Sequence, residues 1–312
     1  MGVFSENAII GASGASVEWQ WAGENYGYQT GGYSTNDQVE KHSYSSTSNA
    51  TLVGTLTYAR WGHGSGQSDT VNGFVFHMGG YGNITRITKN ATAADATSID
   101  IGVTSGDHGG GQAGSSSETH GYVWMGNDGG NKNIDKVAFA SGTSGTDVGD
   151  VSTTGRYGAS GQTAEDAIYC AGGYGTPTYF TDIQKRVTAS DGDSASHGDL
   201  HYGTTDGTSG NSDPVNGYGF SAGGHNYNNI ISKFAFAGTG VTGVSHGTLQ
   251  TVRIRGSSGC TLDKGFYNGG SQTWATTLTN IRSYPLASTS GESNWGSAVL
   301  TTANAYASGT QY

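Results

Sequence analysis

The chain has 312 residues, 55 of them glycine, and a formal net charge of −10. The acidic balance provides no electrostatic footprint for nucleic acid, and no apolar run is long enough to span a membrane, so neither is expected as a partner. Leu, Ile, Val and Phe together make up only about 15% of the chain. The small net charge and the 18 Tyr, 9 Phe and 6 Trp nevertheless argue for an ordered, aromatic-cored protein rather than a disordered one.

Residues 1–23 precede the first repeat. They carry Val3, Phe4, Ile9, Ile10, Trp19 and Trp21, too many large apolar groups for a free tail in water. The segment lacks a charged leader followed by a long apolar stretch, so it reads as an arm that docks on a partner rather than a secretory signal.

From residue 24 onward three glycine marks recur in one register. The first is Gly54, Gly102, Gly149, Gly198, Gly247 and Gly296, with steps of 48, 47, 49, 49 and 49 residues. The second is Gly66, Gly111, Gly161, Gly210, Gly259 and Gly309. The third is a glycine pair at Gly31-Gly32, Gly79-Gly80, Gly172-Gly173, Gly223-Gly224 and Gly269-Gly270, with the variant Gly126-Asn127-Asp128-Gly129-Gly130 in the third repeat. Asn127-Asp128 can stand in there because Asn and Asp tolerate the left-handed region. A period of about 48 residues repeated six times is the signature of a propeller or a solenoid.

Within each repeat the first predicted strand alternates and anchors on an aromatic: Tyr26 and Tyr28, Phe74 and Phe76, Tyr122 and Trp124, Tyr169, Tyr218 and Phe220, Phe266. The second strand follows the glycine pair and carries a base two residues in: Lys41, Arg86, Lys136, Lys185 and Lys233, with Ser283 in the sixth repeat. These bases read as solvent-facing positions of an outer strand, where Lys also blocks edge pairing. The third strand crosses the first mark. The fourth, nearly all Gly, Ser, Ala and Thr, crosses the second mark and suits a crowded central axis. The fold class expected is all-β: a six-bladed β-propeller with four strands per blade, occupying residues 24–312 as one domain. Tyr306–Gln311 is expected to complete blade one, and no helix longer than a turn or two is expected.

A strand followed by Gly-Gly-Tyr (Gly31-Gly32-Tyr33, Gly79-Gly80-Tyr81, Gly172-Gly173-Tyr174) at this period resembles the kelch repeat, which implies a kelch-like propeller. The late Trp of kelch repeats is lacking except for Trp295. A second resemblance spans residues 24–310. Gly217-Tyr218 before Gly223-Gly224, Ile231-Ser232-Lys233-Phe234-Ala235-Phe236, Thr146-Asp147-Val148-Gly149-Asp150, Ser160-Gly161-Gln162 and His120-Gly121-Tyr122 are similar, in that joint order, to repeats of structural proteins of tailed, especially marine, bacteriophages. That resemblance implies a glycine-rich virion component on the exterior of the phage particle, as head decoration, tail fibre or spike. Its implied partners are other virion proteins of capsid or tail, with adhesion to a host-surface glycan as an added role.

Candidate chemistry is sparse. His197 and His246 share a repeat position and could flank a metal, but hydrogen-bonding histidines are the expectation. Asp191, Asp193 and Asp199 offer oxygens to calcium without the glycine and distal glutamate of a calcium loop. Cys170 and Cys260 are expected as buried thiols. Tyr169 and Cys170 are strand neighbours pointing to opposite faces, so they cannot form the Tyr–Cys cross-link of galactose oxidase, whose repeat type this chain resembles. No catalytic residue, cofactor or metal site is expected, and the chain is read as a non-enzyme. A glycan-binding propeller lectin using loop aromatics such as Trp274 and Tyr227 is the alternative, and a propeller enzyme the remote one.

Overall fold

In a computed structural model the described residues are 25–32, 37–60, 65–126, 131–152, 158–175, 177–202, 207–225, 229–273, 276–301, 305 and 307–311. The docking-arm residues Val3, Phe4, Ile9, Ile10, Trp19 and Trp21 lie outside them, as do Trp274 and Tyr227. The aromatic anchors of the first predicted strand, Tyr28, Phe76, Tyr122, Tyr169, Phe220 and Phe266, are all at most 2% exposed. Each sits mid-sheet, and six antiparallel blades of four strands form a six-bladed β-propeller, with Val241–Thr242 of the next blade adding a fifth, parallel strand at the edge of blade 4. No helix occurs among the described residues.

The axis is made by Ser65–Asp69, Ala113–Ser116, Ser160–Thr163, Ser209–Asp213, Ser257–Cys260 and Ser308–Gln311. Each innermost strand pairs with the anchor strand that follows it in sequence, not with the strands that precede it. Sequence repeat and blade are therefore out of phase by one strand. In blade 1 the innermost strand comes from the other end of the chain: Ser308–Gln311 pairs with Tyr26–Thr30, with Gly27 opposite Gln311 and Thr30 opposite Ser308.

The structure explains the three marks and corrects two of them. The axis-facing residues are Gly66, Gly114, Gly161, Gly210, Ser258 and Gly309, so Gly111 and Gly259 are not members of that series. Gly161 shows why glycine is needed: a Cβ there would lie 2.0 Å from the carbonyl oxygen of Gly114 in the neighbouring blade. The first mark sits in the outermost strand, where the register with the third strand shifts by a bulge. The loop of the next blade closes over it, and a Cβ on Gly198 would lie 2.0 Å from the Val241 carbonyl oxygen. The glycine pair ends the anchor strand with two positive φ values, 70° and 107° at Gly172-Gly173. In blade 3 the left-handed position is held by Met125, at φ 31°, followed by Gly126. Met125 makes the same backbone bond, to Asn133, that Gly79 makes to Arg86. Asn127 and Asp128, expected in that role, lie outside the described residues.

Blades meet at seams built from equivalent positions. At every seam a loop amide of one blade donates to the outermost-strand carbonyl of the previous one: Ser98 to Thr55, Gly145 to Val103, Ser194 to Asp150, Gly243 to Asp199, Glu292 to Thr248 and Ala50 to Val299. These bonds also cover the sheet edges that would otherwise invite edge pairing. Near the axis, amides of innermost strands donate to hydroxyls on the next blade, as Ser68 to Ser116, Ser116 to Thr163 and Thr163 to Ser212. Each anchor ring packs against the third strand of the next blade. Tyr169 stacks on Phe236 at 4.7 Å and lies 5.9 Å from Phe234, while Phe266 stacks on Tyr44 at 4.6 Å and lies 5.9 Å from His42.

The base series also changes. The equivalent residue in blade 2 is Lys89, not Arg86, and the series lies on the third strand, one in from the edge. These side chains are half-buried rather than solvent-facing. Lys41, Lys89, Lys185 and Lys233 lie over the rings of Tyr26, Phe74, Tyr169 and Tyr218 at 4.8, 4.4, 5.5 and 3.7 Å. Lys136 instead pairs with Asp191 of the next blade at 2.7 Å.

Candidate functional site

The two ends of the propeller differ. The innermost and anchor strands join at hairpin tips that end in Val71, Glu118, Glu165, Val215 and Leu262. In two of them the turn is locked by an Asp–Asn bracket, Asp69 with Asn72 and Asp213 with Asn216. Tyr26 and Gln311 reach this hairpin face in blade 1. The opposite, Gly-Gly face carries the longer loops and their aromatics.

On that face the blade 4 loop folds back as a small hairpin, Tyr174–Gly175 with Thr178–Tyr179. Its register sets Tyr174 directly opposite Tyr179, and cross-strand neighbours of this kind bring rings into contact. The centroids are 4.8 Å apart. Tyr179 then reaches blade 5: its hydroxyl is 2.9 Å from His225 Nδ1, and the two rings are near parallel at 12°. Burial pushes the His225 imidazole below its ordinary pKa, and the charge of Arg255 adds to that. All three rings are half-buried. Tyr81 and Tyr202, on the same face, are 49% and 47% exposed. Tyr174, Tyr179 and His225 together make an aromatic surface with polar edges. Such a surface can bind by stacking and hydrogen bonding.

The sequence candidates fall elsewhere. His197 and His246 are not brought together. Each donates from Nε2 to a carbonyl of the next blade, Ala235 at 2.8 Å and Pro285 at 2.7 Å. Trp295, in the same position, donates its indole N–H to the matching Ser43 carbonyl at 3.2 Å. These rings are seam fasteners. Asp191 accepts from Lys136 and Arg186, Asp193 from the Asp150 amide, and Asp199 from Thr181. The three carboxylates thus serve separate partners, and no group of three or more metal-ligating side chains occurs among the described residues. Cys170 and Cys260 are buried thiols not joined in a disulfide, Cys260 donating to the Ser212 carbonyl.

One buried pair has the look of a catalytic dyad. His108 Nε2 is 2.9 Å from Asp135 Oδ2, and both side chains are fully buried. Burial alone would raise the Asp135 carboxyl, but the bonds from His108, Ser105 and Gly106 hold it below its ordinary range. The other His108 nitrogen faces the Met125 carbonyl at 3.1 Å. Arg60 and Arg253 reach the equivalent carbonyls, Gly79 and Gly269, from the equivalent linkers. His108 therefore stands with Arg60 and Arg253 in a series of latches between blades. Burial lowers Arg60 to about 10. The dyad was not legible in the sequence, where His108 and Asp135 stand 27 residues apart without a motif.

No family model matches the sequence, and neither does any curated protein. Among solved structures the chain is similar to YjhT, with a TM-score of 0.60 and 13% identity over 80% of this chain and 87% of that one. At that identity the likeness carries the propeller fold alone.

Proposed function

We propose that the protein is a non-enzymatic structural component of a bacteriophage particle, carried on the virion exterior as head decoration, tail fibre or spike. Residues 1–23 dock it to other virion proteins, and the Gly-Gly face points outward. The observation that carries this reading is the polarity of the ring. The described chain enters at the hairpin face, opposite the aromatic loops, so an arm can engage a particle while the loops stay accessible. The repeat resemblance supplies the particle. A chain lacking residues 1–23 is expected to fold and to be absent from purified particles. Normal incorporation of that truncation defeats the docking claim.

The Tyr174, Tyr179 and His225 surface favours a second reading, attachment to a host-surface glycan. Packed tyrosine rings suit the apolar face of a sugar and cost little conformational entropy to order. A glycan array with the full chain and with Tyr179→Ala tests it. Signals that survive the substitution place any sugar site elsewhere.

A further inference from the structure

Blade 1 is the one blade whose innermost strand comes from the far end of the chain, so it alone is closed by hydrogen bonds rather than by chain continuity. Both of its seams hold a buried histidine. At the seam with blade 6, His42 is 2% exposed and wedged between Tyr44 and Phe266, with ring centroids at 5.4 and 5.9 Å. Neither ring nitrogen has a hydrogen-bond partner, nor does the Tyr44 hydroxyl. At the seam with blade 2, His77 is 1% exposed. Its Nδ1 meets the Thr30 hydroxyl at 2.9 Å, and its Nε2 has no partner. The blade 6 seam also lacks one axial fastener, although Ser257 donates across it to Gln29 Oε1 at 2.8 Å and the Thr301 amide to Glu40 at 3.0 Å. Gln67, Ser115, Gln162 and Asn211 donate to anchor-strand carbonyls of the following blades, but blade 6 has Gly259 at that position. Asn268, which ends the blade 6 anchor strand, has both amide atoms unpartnered, as is Gln29 Nε2 in blade 1.

We infer that blade 1 is an acid-releasable closure, in which protonation of His42 and His77 opens the ring on both sides of that blade. A charged imidazole at either seam would be buried without an acid hydrogen-bonded to it, which costs far more than a buried neutral ring. The titratable groups around His42 are Tyr44, which stays neutral because burial raises it, with Cys260 and Tyr28 adding to that, and Glu40, two residues earlier on the same strand, whose buried carboxylate is taken up by the Thr301 amide. Beside His77 stands the cation Arg60, which opposes protonation further. Burial lowers His42 from 6.5 to about 4 and His77 to about 3. For a base whose folded value is depressed, the stability is present above the unfolded value of 6.5 and is lost as pH falls towards the folded one. The other buried histidines differ. His108 has an acceptor at each nitrogen, and His197 and His246 each donate to a carbonyl.

Hydrogen exchange of the full chain tests this. Between about pH 7.5 and about pH 5, after correction for intrinsic rates, the opening constant of Tyr26–Thr30 is expected to rise about 30-fold for each histidine released. Ala167–Ala171 and Tyr218–Ala222 are expected to change only a few-fold. His42→Phe, which copies Phe234 at the same place in blade 5, and His77→Gln, which copies Gln29 in blade 1, should each remove their share of the rise. Uniform acid sensitivity around the ring, or a rise that persists in both variants, overturns the inference. Should the variants fail to fold, proton NMR of the wild-type rings decides it. Titration of His42 and His77 near 6.5 overturns the inference, and rings that stay neutral below about pH 5 support it.

Discussion

The seams between blades 4 and 5 and between blades 6 and 1 occupy the same positions in the ring and share their clasp bonds. They differ in what fills them. Tyr169 meets Phe234 and Phe236, and its hydroxyl donates to the Phe236 carbonyl at 3.0 Å. Phe266 meets His42 and Tyr44, whose polar atoms find no partner. The geometry of a seam is set by backbone period and glycine placement, so side-chain identity is left to set how firmly the seam holds. A propeller can thus have uniform shape and uneven stability.

Substitutions can break or sharpen that contrast. The largest effect is expected at the axis, where Gly161→Ser would drive a Cβ into the Gly114 carbonyl. A loss of more than about 4 kcal/mol, or failure to fold, should be seen in denaturant titration. Blade 6 already carries Ser258 at this position, so Ser258→Gly should change stability by less than about 1 kcal/mol. Phe234→Ala should cost about 3–5 kcal/mol by opening a cavity in the apolar seam. Phe234→His should cost less at neutral pH and transfer acid lability to blades 4 and 5, read by hydrogen exchange in Ala167–Ala171. Asp135 gives a smaller, pH-graded effect. Its folded pKa is depressed, so its contribution is present above the unfolded value, ~3.8, and is lost as pH falls through the folded one. Asp135→Asn should flatten the fall in urea midpoint below about pH 4. The smallest effect belongs to Lys136→Gln. Its exposed partner Asp191 keeps Arg186, so a change within about 0.5 kcal/mol is expected in a melting curve.

The periodic part of this architecture was legible because each mark answers a steric demand that recurs once per blade. The anchor rings and the glycine pairs were read in register for that reason. The misreadings came from decoys. Gly111 lies in a glycine-rich linker three residues before the true axis residue Gly114, and Gly259 follows the true axis residue, Ser258. Arg86 sits three residues before Lys89 on the same strand. Met125 could not be read as a left-handed residue, because nothing in its side chain favours that conformation. The aromatic surface of Tyr174, Tyr179 and His225 was illegible because it joins loops of two blades, 46 residues apart between Tyr179 and His225, and loop length follows no period. Seam polarity was equally hidden, since His42 and Phe234 look unrelated until the blades are superposed in register.

The one-strand offset between repeat and blade works as overlapping courses do in masonry. No joint in the chain coincides with a joint in the ring, since each sequence unit contributes three strands to one blade and an innermost strand to the next. A unit copied or lost in the gene would therefore leave every blade four-stranded and still closed by the final strand on the first. Such a chain can change its number of blades in whole steps without ever passing through a broken one.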